Sequence, residues 1–392
     1  MSFDFSKMTS SRPLPPIVVA EVGTAHGGDL SRGLELIDAA ADAGSDIAKV
    51  QVVFAEEILP PEAGLVPLPG GDTPLYEVFR KLERPVDFYA ALADRAAARG
   101  IGFLASPFGE KSVCLLEEIG VEAWKVASPE LNHEPLLERL ARTGLPLILS
   151  TGVSRMEDIQ RALDVIADSV SAAVPPIIIL HCLTNYPAPE KEANLRAIPT
   201  LAAAFNHPAG LSDHSLHPVL IPALASALGA VMIEKHITLN KEAGGLDDPV
   251  ALTPEAFTEM TAAVRRFALP EGGRGTAAHL AAVIDELAGE YGRERVEACL
   301  GDGVKRLAPS EEAHYRRTNR SIHAVGALKA GTLLTEENTA ILRTEKVLRP
   351  GLEPRYRSEV YGSRLIRNVA SGDGITREDL EPSDVAPEDH KK

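Results

Sequence analysis

The chain has 392 residues, 45% of them hydrophobic, and a formal net charge of −16 at pH 7. This length exceeds that of a usual single domain, and the apolar content is enough for a large core, so a large α/β barrel with a small second domain would account for both. The acidic balance argues against nucleic acid as a partner, because neutralising phosphates requires clustered lysines and arginines.

The cysteines Cys114, Cys182 and Cys299 are widely separated and form no CxxC pair, which argues against a disulfide framework and a cysteine zinc site. The N-terminal residues lack the basic region and long apolar stretch of a signal peptide, and no membrane-spanning apolar run follows. We therefore expect a soluble, cytoplasmic protein with no membrane partner.

Short apolar runs alternate with stretches of helical periodicity along the first two thirds of the chain. The runs begin at Val18, Ile47, Gly102, Ala123, Leu147, Ile177, Ala209 and Val231. Between them apolar residues recur at three- and four-residue steps, which is the period of an amphipathic helix. Strand-helix units in series predict a (β/α)8 TIM barrel.

Start signals for two of the helices are specific. Ser154 and Glu157 have the spacing of a capping box, and Thr253 precedes Pro254 as an N-cap residue precedes proline at the first helical position. We expect one helix to start after each of these signals.

Polar side chains follow every predicted strand. In chain order they are Glu21, Lys49 with Gln51, Ser106, Lys125 with Ser128, Ser150 with Thr151, His181, Ser212 with His214, and Glu234 with His236. The active site of such a barrel lies at the carboxyl ends of its strands, so these groups are predicted to meet at one rim. Strand capping explains any one of them but not the whole set.

The residue types at this rim indicate a chemistry. Lysines beside several serines suit a phosphate or carboxylate, and imidazoles suit a divalent metal that polarises a carbonyl. His214 and His236 follow neighbouring strands at equivalent places, whereas burial as ordinary core histidines is the alternative. Cys182 is not expected to be a metal ligand, because it directly follows His181 at a strand end and the two point to opposite faces.

A series of short motifs between residues 16 and 267 occurs in the order found in one enzyme family. They are Glu21-Val22-Gly23, Lys49-Val50-Gln51, Tyr76-Glu77-Val78-Phe79, Ser106-Pro107-Phe108, Lys125-Val126-Ala127-Ser128, Ser150-Thr151-Gly152, Tyr186-Pro187-Ala188-Pro189, Asn194-Leu195-Arg196, Ser212-Asp213-His214 and Glu234-Lys235-His236. The chain resembles the sialic acid (N-acetylneuraminate) synthase family, and residues 318–381 resemble its antifreeze-like (SAF) domain through Asn319-Arg320-Ser321-Ile322 and Arg349-Pro350-Gly351.

The resemblance implies a TIM barrel followed by a small SAF domain, and an enzyme that condenses phosphoenolpyruvate with an N-acylated, N-acetylmannosamine-like sugar. A nine-carbon 2-keto sugar acid forms and phosphate is released. It implies catalytic roles for Glu21, Glu130, Glu234 and His236. It implies substrate binding by Lys49, Gln51, Ser106, Lys125, Ser128, Ser150, Thr184, Tyr186, Ser212, Asp247 and Arg320. His214 and His236 would hold Mn²⁺, with Mg²⁺ or Co²⁺ as alternatives.

The same resemblance implies a homodimer in which each SAF domain contacts the partner barrel and places Arg320 over the sugar. The predicted division is a barrel at 1–267, a helical insertion and linker at 268–317, the SAF domain at 318–381, and a polar tail at 382–392.

The chain departs from the family pattern at Ala25, Gly27, Pro129 and Thr184, and several of these positions fall where the sugar is expected. One alternative therefore keeps phosphoenolpyruvate and changes the acceptor to another aldose or aldose phosphate. A second alternative is a non-catalytic sugar-binding protein, which the intact lysines, histidines and Glu21 disfavour.

Overall fold

The computed structural model describes residues 15–68, 71–171, 173–270 and 277–382; the predicted polar tail lies outside them apart from residue 382. The strands are β1 (Ile17–Gly23), β2 (Ile47–Gln51), β3 (Leu65–Leu68), β4 (Gly71–Pro74), β5 (Gly102–Ser106), β6 (Trp124–Val126), β7 (Leu147–Ser150), β8 (Ile177–Cys182), β9 (Ala209–Asp213), β10 (Met232–His236), β11 (Arg320–Ala324) and β12 (Thr339–Arg343).

The helices are α1 (Leu30–Asp42), α2 (Ala55–Ile58), α3 (Leu75–Leu82), α4 (Val86–Arg99), α5 (Glu110–Ile119), α6 (Glu134–Ala141), α7 (Met156–Asp168), α8 (Ala197–Phe205), α9 (Leu220–Ala227), α10 (Pro254–Arg266), α11 (Ala277–Tyr291), α12 (Arg293–Leu300) and α13 (Arg357–Val360). In the described ranges, no helix is both long enough and apolar enough to cross a membrane.

The large sheet has eight strands in the order β5-β2-β1-β10-β9-β8-β7-β6, and every pair in it is parallel. β5 and β6 stand at the two ends of this order and are consecutive barrel strands along the chain. The antiparallel hairpin of β3 and β4 is inserted between β2 and β5. The predicted TIM-barrel architecture is thereby confirmed, with a sheet that nearly closes on itself.

Side-chain alternation along the strands separates the core from the site. In β1, Val18 and Ala20 face the helices, whereas Ile17 and Val19 pack inside the barrel with residues from the other strands. Because successive side chains in a strand point to opposite faces, Glu21 continues the inward column. The barrel interior is therefore apolar toward the amino ends of the strands. The next inward-facing position, near the carboxyl end of each strand, can hold a polar side chain.

Of the two predicted helix starts, one has the expected capping residue and the other does not. The side chain of Thr253 accepts a hydrogen bond from Ala256 N at the start of α10, as predicted. Ser154 does not cap α7: Arg155 is the N-cap, its backbone N–H donates to Asp158, and the Ser154 hydroxyl donates to Gly152 O. The predicted capping box at Ser154 was wrong, because this serine belongs to the preceding turn.

The C-terminal domain contains the β11–β12 ribbon and has a small apolar core of its own. That core is formed by Ile322, Ala324, Leu334, Val360, Leu365, Val369 and Ile375. The domain contacts the barrel through Arg357, which pairs with Glu134 at 2.7 Å and with Glu138. Helices α11 and α12 lie between the two domains in sequence and pack on the barrel, where Val296 and Leu300 join its outer core.

A buried histidine makes the small domain sensitive to acid. His323 hydrogen-bonds Gly372 O at 2.8 Å and the Ser321 hydroxyl at 2.9 Å, and burial lowers its pKa to about 4. The unfolded chain therefore takes up this proton first as the pH falls below about 6.5, and folding stability declines. We expect this residue to account for about 2 kcal/mol of lost stability between pH 7 and 5.

Urea melts at pH 7 and 5, followed by a probe in this domain, measure the effect. Wild type should lose more stability between the two pH values than His323→Gln, whose amide does not titrate. Equal losses in the two proteins would contradict a role for His323.

Candidate active site

Three charged residues meet inside the upper end of the barrel. Lys49 Nζ lies 2.7 Å from Glu21 Oε2 and 3.6 Å from Glu234 Oε1, and all three side chains are buried. They come from β2, β1 and β10, which are neighbours in the sheet. Burial opposes the charge on Lys49, but Glu21 and Glu234 outweigh it and raise the pKa of this amine.

A second buried lysine approaches the same oxygen of Glu234. Lys125 Nζ lies 3.4 Å from Glu234 Oε1 and donates a hydrogen bond to the Ser150 hydroxyl at 2.8 Å. Ser212 donates to the same carboxylate oxygen at 3.0 Å. Burial alone would raise the pKa of Glu234, but the two lysines hold it at about 2, so the group is a carboxylate. Burial lowers the pKa of Lys125.

The other oxygen of Glu234 is buried and makes no hydrogen bond within the described part of the chain. A buried carboxylate oxygen is unfavourable unless something donates to it. A water molecule or a polar group of a ligand would satisfy this oxygen.

Gly23 marks a point where three site side chains converge. A Cβ at this position would lie 3.3 Å from Glu21 Oε1, 3.5 Å from Gln51 Nε2 and 3.7 Å from Asp247 Oδ2. Its φ of +56° is also one that glycine adopts without strain. Gln51 Nε2 donates to Glu21 Oε1 at 2.8 Å, which fixes the orientation of that carboxylate.

Serine and threonine hydroxyls line the next sector of the rim. Ser106 Oγ lies 3.5 Å from Lys49 Nζ, and Ser128 Oγ accepts a hydrogen bond from Gly152 N at 2.9 Å. A Cβ on Gly152 would lie only 2.1 Å from Thr184 Oγ1. That hydroxyl oxygen is buried and has no hydrogen-bond partner among the described residues. Close packing against the Gly152 backbone brings these hydroxyls together.

The two predicted metal ligands lie side by side. The rings of His214 and His236 are 5.5 Å apart between centroids, and the Tyr186 ring lies 4.1 Å from that of His214. His214 Nδ1 is 2.7 Å from Leu183 O, so this nitrogen carries the hydrogen and Nε2 is the nitrogen available to a ligand. His236 Nδ1 lies 3.9 Å from Asp247 Oδ2.

The pKa values of the two histidines and of Asp247 are shifted in different directions. Burial lowers the pKa of His236 to about 3, which keeps this imidazole neutral, and raises the pKa of Asp247 to about 6. Burial also disfavours the charged form of His214, but the Cys182 sulfur, 3.9 Å from Nδ1, contributes to raising its pKa to about 9. Cys182 therefore lies on the side of the ring that faces Leu183 O, away from Nε2.

The donor set fits an open divalent-metal site. Within the described ranges no three His, Cys, Asp or Glu side chains converge on a single metal position. A divalent metal held by the two imidazoles would take its remaining ligands from water or from substrate oxygens. His236 is already in the neutral form that ligates metals, whereas a metal on Nε2 of His214 would displace the proton that the raised pKa of this ring favours.

Arg320 and Glu130 form a separate, completely buried pair. Arg320 Nη2 lies 3.0 Å from Glu130 Oε1, and Arg343 donates to the same oxygen at 2.8 Å. Arg320 also donates to Phe108 O at 3.1 Å and to Ile341 O at 3.2 Å. Burial lowers the pKa of this guanidinium to about 10.

In this single chain Arg320 lies at the contact between the small domain and the barrel, and its backbone exchanges two hydrogen bonds with the Asn132 side chain. The preceding residue is held at the same contact, since Asn319 Nδ2 donates to Val153 O at 3.2 Å. The donors of Arg320 also meet Glu130 and backbone carbonyls rather than an open sugar site.

The structure brings most of the sequence-predicted residues to the barrel rim and places Arg320 and Glu130 in the domain contact. His181 is the exception at a strand end, because it points outward and its Nε2 lies 2.7 Å from Ala193 O. Sequence reasoning gave no role to Gly152, Arg343 or Glu311. Gly152 lay in the Ser150-Thr151-Gly152 motif, whereas nothing local marked Arg343.

Models of two known families match separate parts of the chain. The model of the NeuB family matches residues 36–274, and that of the SAF domain matches residues 319–381. The chain is 33% identical to the spore coat polysaccharide biosynthesis protein SpsE of Bacillus subtilis, over 97% of both chains. The crystal structure of that protein superposes with a TM-score of 0.76 at 32% identity, covering 94% of this chain and 96% of the other.

Two further relatives carry names that describe a reaction product. The chain is 30% identical to N,N'-diacetyllegionaminic acid synthase of Legionella pneumophila, over 93% of this chain and 94% of the relative. It is also 30% identical to the mouse (Mus musculus) N-acetylneuraminate-9-phosphate synthase, over 94% and 93% respectively.

Proposed function

The chain belongs to the NeuB family, and from that premise we propose that it is a synthase that condenses phosphoenolpyruvate with an N-acylated amino sugar. The product is a nine-carbon 2-keto sugar acid, and phosphate is released. The observation that carries this proposal is the pair of buried lysines, Lys49 and Lys125, which lie 3.6 and 3.4 Å from the same oxygen of Glu234 at the barrel rim.

Phosphoenolpyruvate is the ligand that this half of the rim suits. Its phosphate and carboxylate together need several cations and hydrogen-bond donors in a site with little water. The lysines supply point charges, and the hydroxyls of Ser106, Ser150 and Ser212 lie within hydrogen-bond range of the lysines or of Glu234. Glu234 keeps both ammonium groups oriented while the ligand binds.

In the proposed reaction, C3 of phosphoenolpyruvate forms a bond to the aldehyde carbon of the open-chain sugar. The oxygen of a water molecule adds at C2, and the bond from C2 to the phosphate oxygen then breaks. A divalent cation on His214 and His236 would supply Lewis-acid polarisation of the aldehyde. The two lysines stabilise the negative charge of the phosphate as it leaves, and Glu234 Oε2 is the buried acceptor available to the attacking water.

Family membership and the polar groups around Gly23 support an amino sugar as the acceptor. Gln51 and Asp247 converge there beside Tyr186 and the two histidines. An amide, a carboxylate and a phenol are suited to sugar hydroxyl and acyl groups. Another aldose or an aldose phosphate is the alternative acceptor.

Phosphate release from phosphoenolpyruvate tests the function directly. With added Mn²⁺, we expect release that depends on an N-acylated hexosamine, and a sugar acid that contains three more carbons than the acceptor by mass spectrometry. Phosphate release that occurs only with phosphorylated aldoses would identify an aldose phosphate as the acceptor. Sugar binding without any phosphate release would favour the non-catalytic alternative.

We also propose that the active unit is a homodimer in which SAF domains are exchanged between barrels. The SAF domain spans only residues 319–381, so it buries a small core and gains stability from docking on a larger domain. The contacts that Arg320 makes in one chain would be reproduced between two chains if the domains swapped partners.

Mixing two inactive variants, Arg320→Ala and His236→Ala, tests the exchange. In a swapped heterodimer one site receives both lesions and the other receives neither, so up to half of the activity per heterodimer should return after subunit exchange. No recovery in verified heterodimers would assign Arg320 to its own barrel, as in the single chain. A fully active monomer in light scattering would contradict the dimer itself.

A further inference from the structure

A carboxylate from the segment that joins the two domains contacts the loops that follow β7 and β8, beside the candidate site. Glu311 is completely buried, although it belongs to the connecting segment between α12 and β11. Its Oε1 accepts hydrogen bonds from Val153 N and Thr184 N, both at 2.8 Å. Its Oε2 accepts one from Ala308 N at 3.2 Å. One carboxylate thus joins the loops that follow β7 and β8.

The same segment holds the backbone on both sides of Gly152. Lys305 is buried and donates to Thr151 O at 2.7 Å, while Glu311 accepts from Val153 N. Asn319 then donates to Val153 O. Backbone groups that would otherwise be buried without partners are satisfied by side chains from a distant part of the chain.

This turn has a conformation that needs external support. Val153 has a φ of +42°, which is uncommon for any non-glycine residue and an outlier for a β-branched one. Such conformations persist where surrounding contacts determine them, and they cluster at functional sites. Here the contacts on both the N–H and the C=O of Val153 come from Glu311 and Asn319.

The supported turn carries groups of the phosphoenolpyruvate half of the site. Ser150, which precedes the turn, is bonded to Lys125, and Gly152 N donates to the Ser128 hydroxyl. Thr184, whose N–H Glu311 also binds, places its unpartnered hydroxyl against Gly152. A shift of this backbone would displace three hydroxyls together.

We propose that Glu311 is a positioning residue for phosphoenolpyruvate binding: its carboxylate sets the loops after β7 and β8, so that docking of the connecting segment completes the site. This inference rests on the proposed function. Phosphoenolpyruvate binding in the barrel would then depend on a segment outside the barrel. Glu311 would act through the two loops and not by contact with the substrate.

The test compares four variants by steady-state kinetics and by the thermal shift that phosphoenolpyruvate induces. Glu311→Ala removes the acceptor, and Glu311→Asp shortens it so that it cannot reach both loops. Glu311→Gln keeps an oxygen for Val153 and Thr184. Glu192→Gln is the matched control, because Glu192 accepts from Ser310 N of the same segment at 3.1 Å but lies in the later part of the loop after β8, and no hydrogen bond joins it to Val153 or Thr184 in the described part of the chain.

We expect Glu311→Ala and Glu311→Asp to lower kcat/KM for phosphoenolpyruvate by roughly 10–100-fold, the range found when supporting residues of an active site are lost. The KM for the sugar should change little, the phosphoenolpyruvate-induced thermal shift should shrink, Glu311→Gln should recover most of the loss, and Glu192→Gln should match wild type. If the alanine variant does not fold, the aspartate variant supplies the same comparison.

Three results would overturn the inference while wild type still turns over phosphoenolpyruvate. They are unchanged kinetics in Glu311→Asp, equal losses toward both substrates in parallel with a lowered melting temperature, and an equal defect in Glu192→Gln. A wild-type protein that neither binds nor consumes phosphoenolpyruvate would instead refute the proposed function.

Discussion

Replacing Lys125 by methionine is expected to lower kcat/KM for phosphoenolpyruvate by roughly 10²–10⁴-fold. The variant would lose two charge-assisted hydrogen bonds from the ammonium group to phosphoenolpyruvate, and each contributes about 1.5–3 kcal/mol. Methionine keeps much of the volume of the lysine stem, so the packing around β6 is largely preserved. Loss of the ammonium also leaves Glu234 with one cation instead of two. The KM for the sugar should change far less.

Lys235 provides a control of the same residue type on a barrel strand. It is 1% exposed, but it faces away from Glu234 and donates to Ser215 O at 2.7 Å and to Asp213. Lys235→Met should therefore lower the melting temperature without a selective effect on phosphoenolpyruvate. A Lys125→Met protein that changed only the sugar KM would refute the assignment of Lys125 to phosphoenolpyruvate.

The double variant His214→Ala/His236→Ala is expected to lose bound Mn²⁺ on dialysis and to lose activity by at least about 10³-fold, because Lewis-acid polarisation is worth several kcal/mol. The neighbouring imidazoles are the only two histidines whose rings pack on Tyr186 in the described part of the chain. Metal content by elemental analysis gives a readout that is independent of turnover.

Cys182→Ala is the control for this experiment. Its sulfur is near Nδ1 of His214, which faces Leu183 O, so removal of the thiol should leave the metal content unchanged. Retained Mn²⁺ in the double variant, or its loss in Cys182→Ala, would refute the ligand assignment.

The barrel and its polar rim were predictable because they depend on short-range patterns. Strand runs and the two-residue alternation of side chains are local properties of the backbone. Once Ile47 is inside the barrel, Lys49 and Gln51 must follow it inward, as the packing of β2 shows. The same alternation turns His181 outward and Cys182 inward.

Local sequence signals predicted the wrong structure where contacts between distant residues determined the backbone conformation. Ser154 has the spacing of a helix cap, yet it hydrogen-bonds Gly152 O in a turn that Glu311 holds from 158 residues away. A cap contributes about 1 kcal/mol, which a buried carboxylate with three backbone donors can override.

The sequence by itself determined the eight barrel strands, the order of the polar residues around the rim, and the resemblance to one family of synthases, because these depend on local periodicity and motif order. Only the tertiary structure decided that Arg320 meets Glu130, 190 residues earlier in the sequence, and that Glu311 supports the turn at Gly152. Such pairings bury charge, and a buried charge is stable only where the complete fold brings its partners to it.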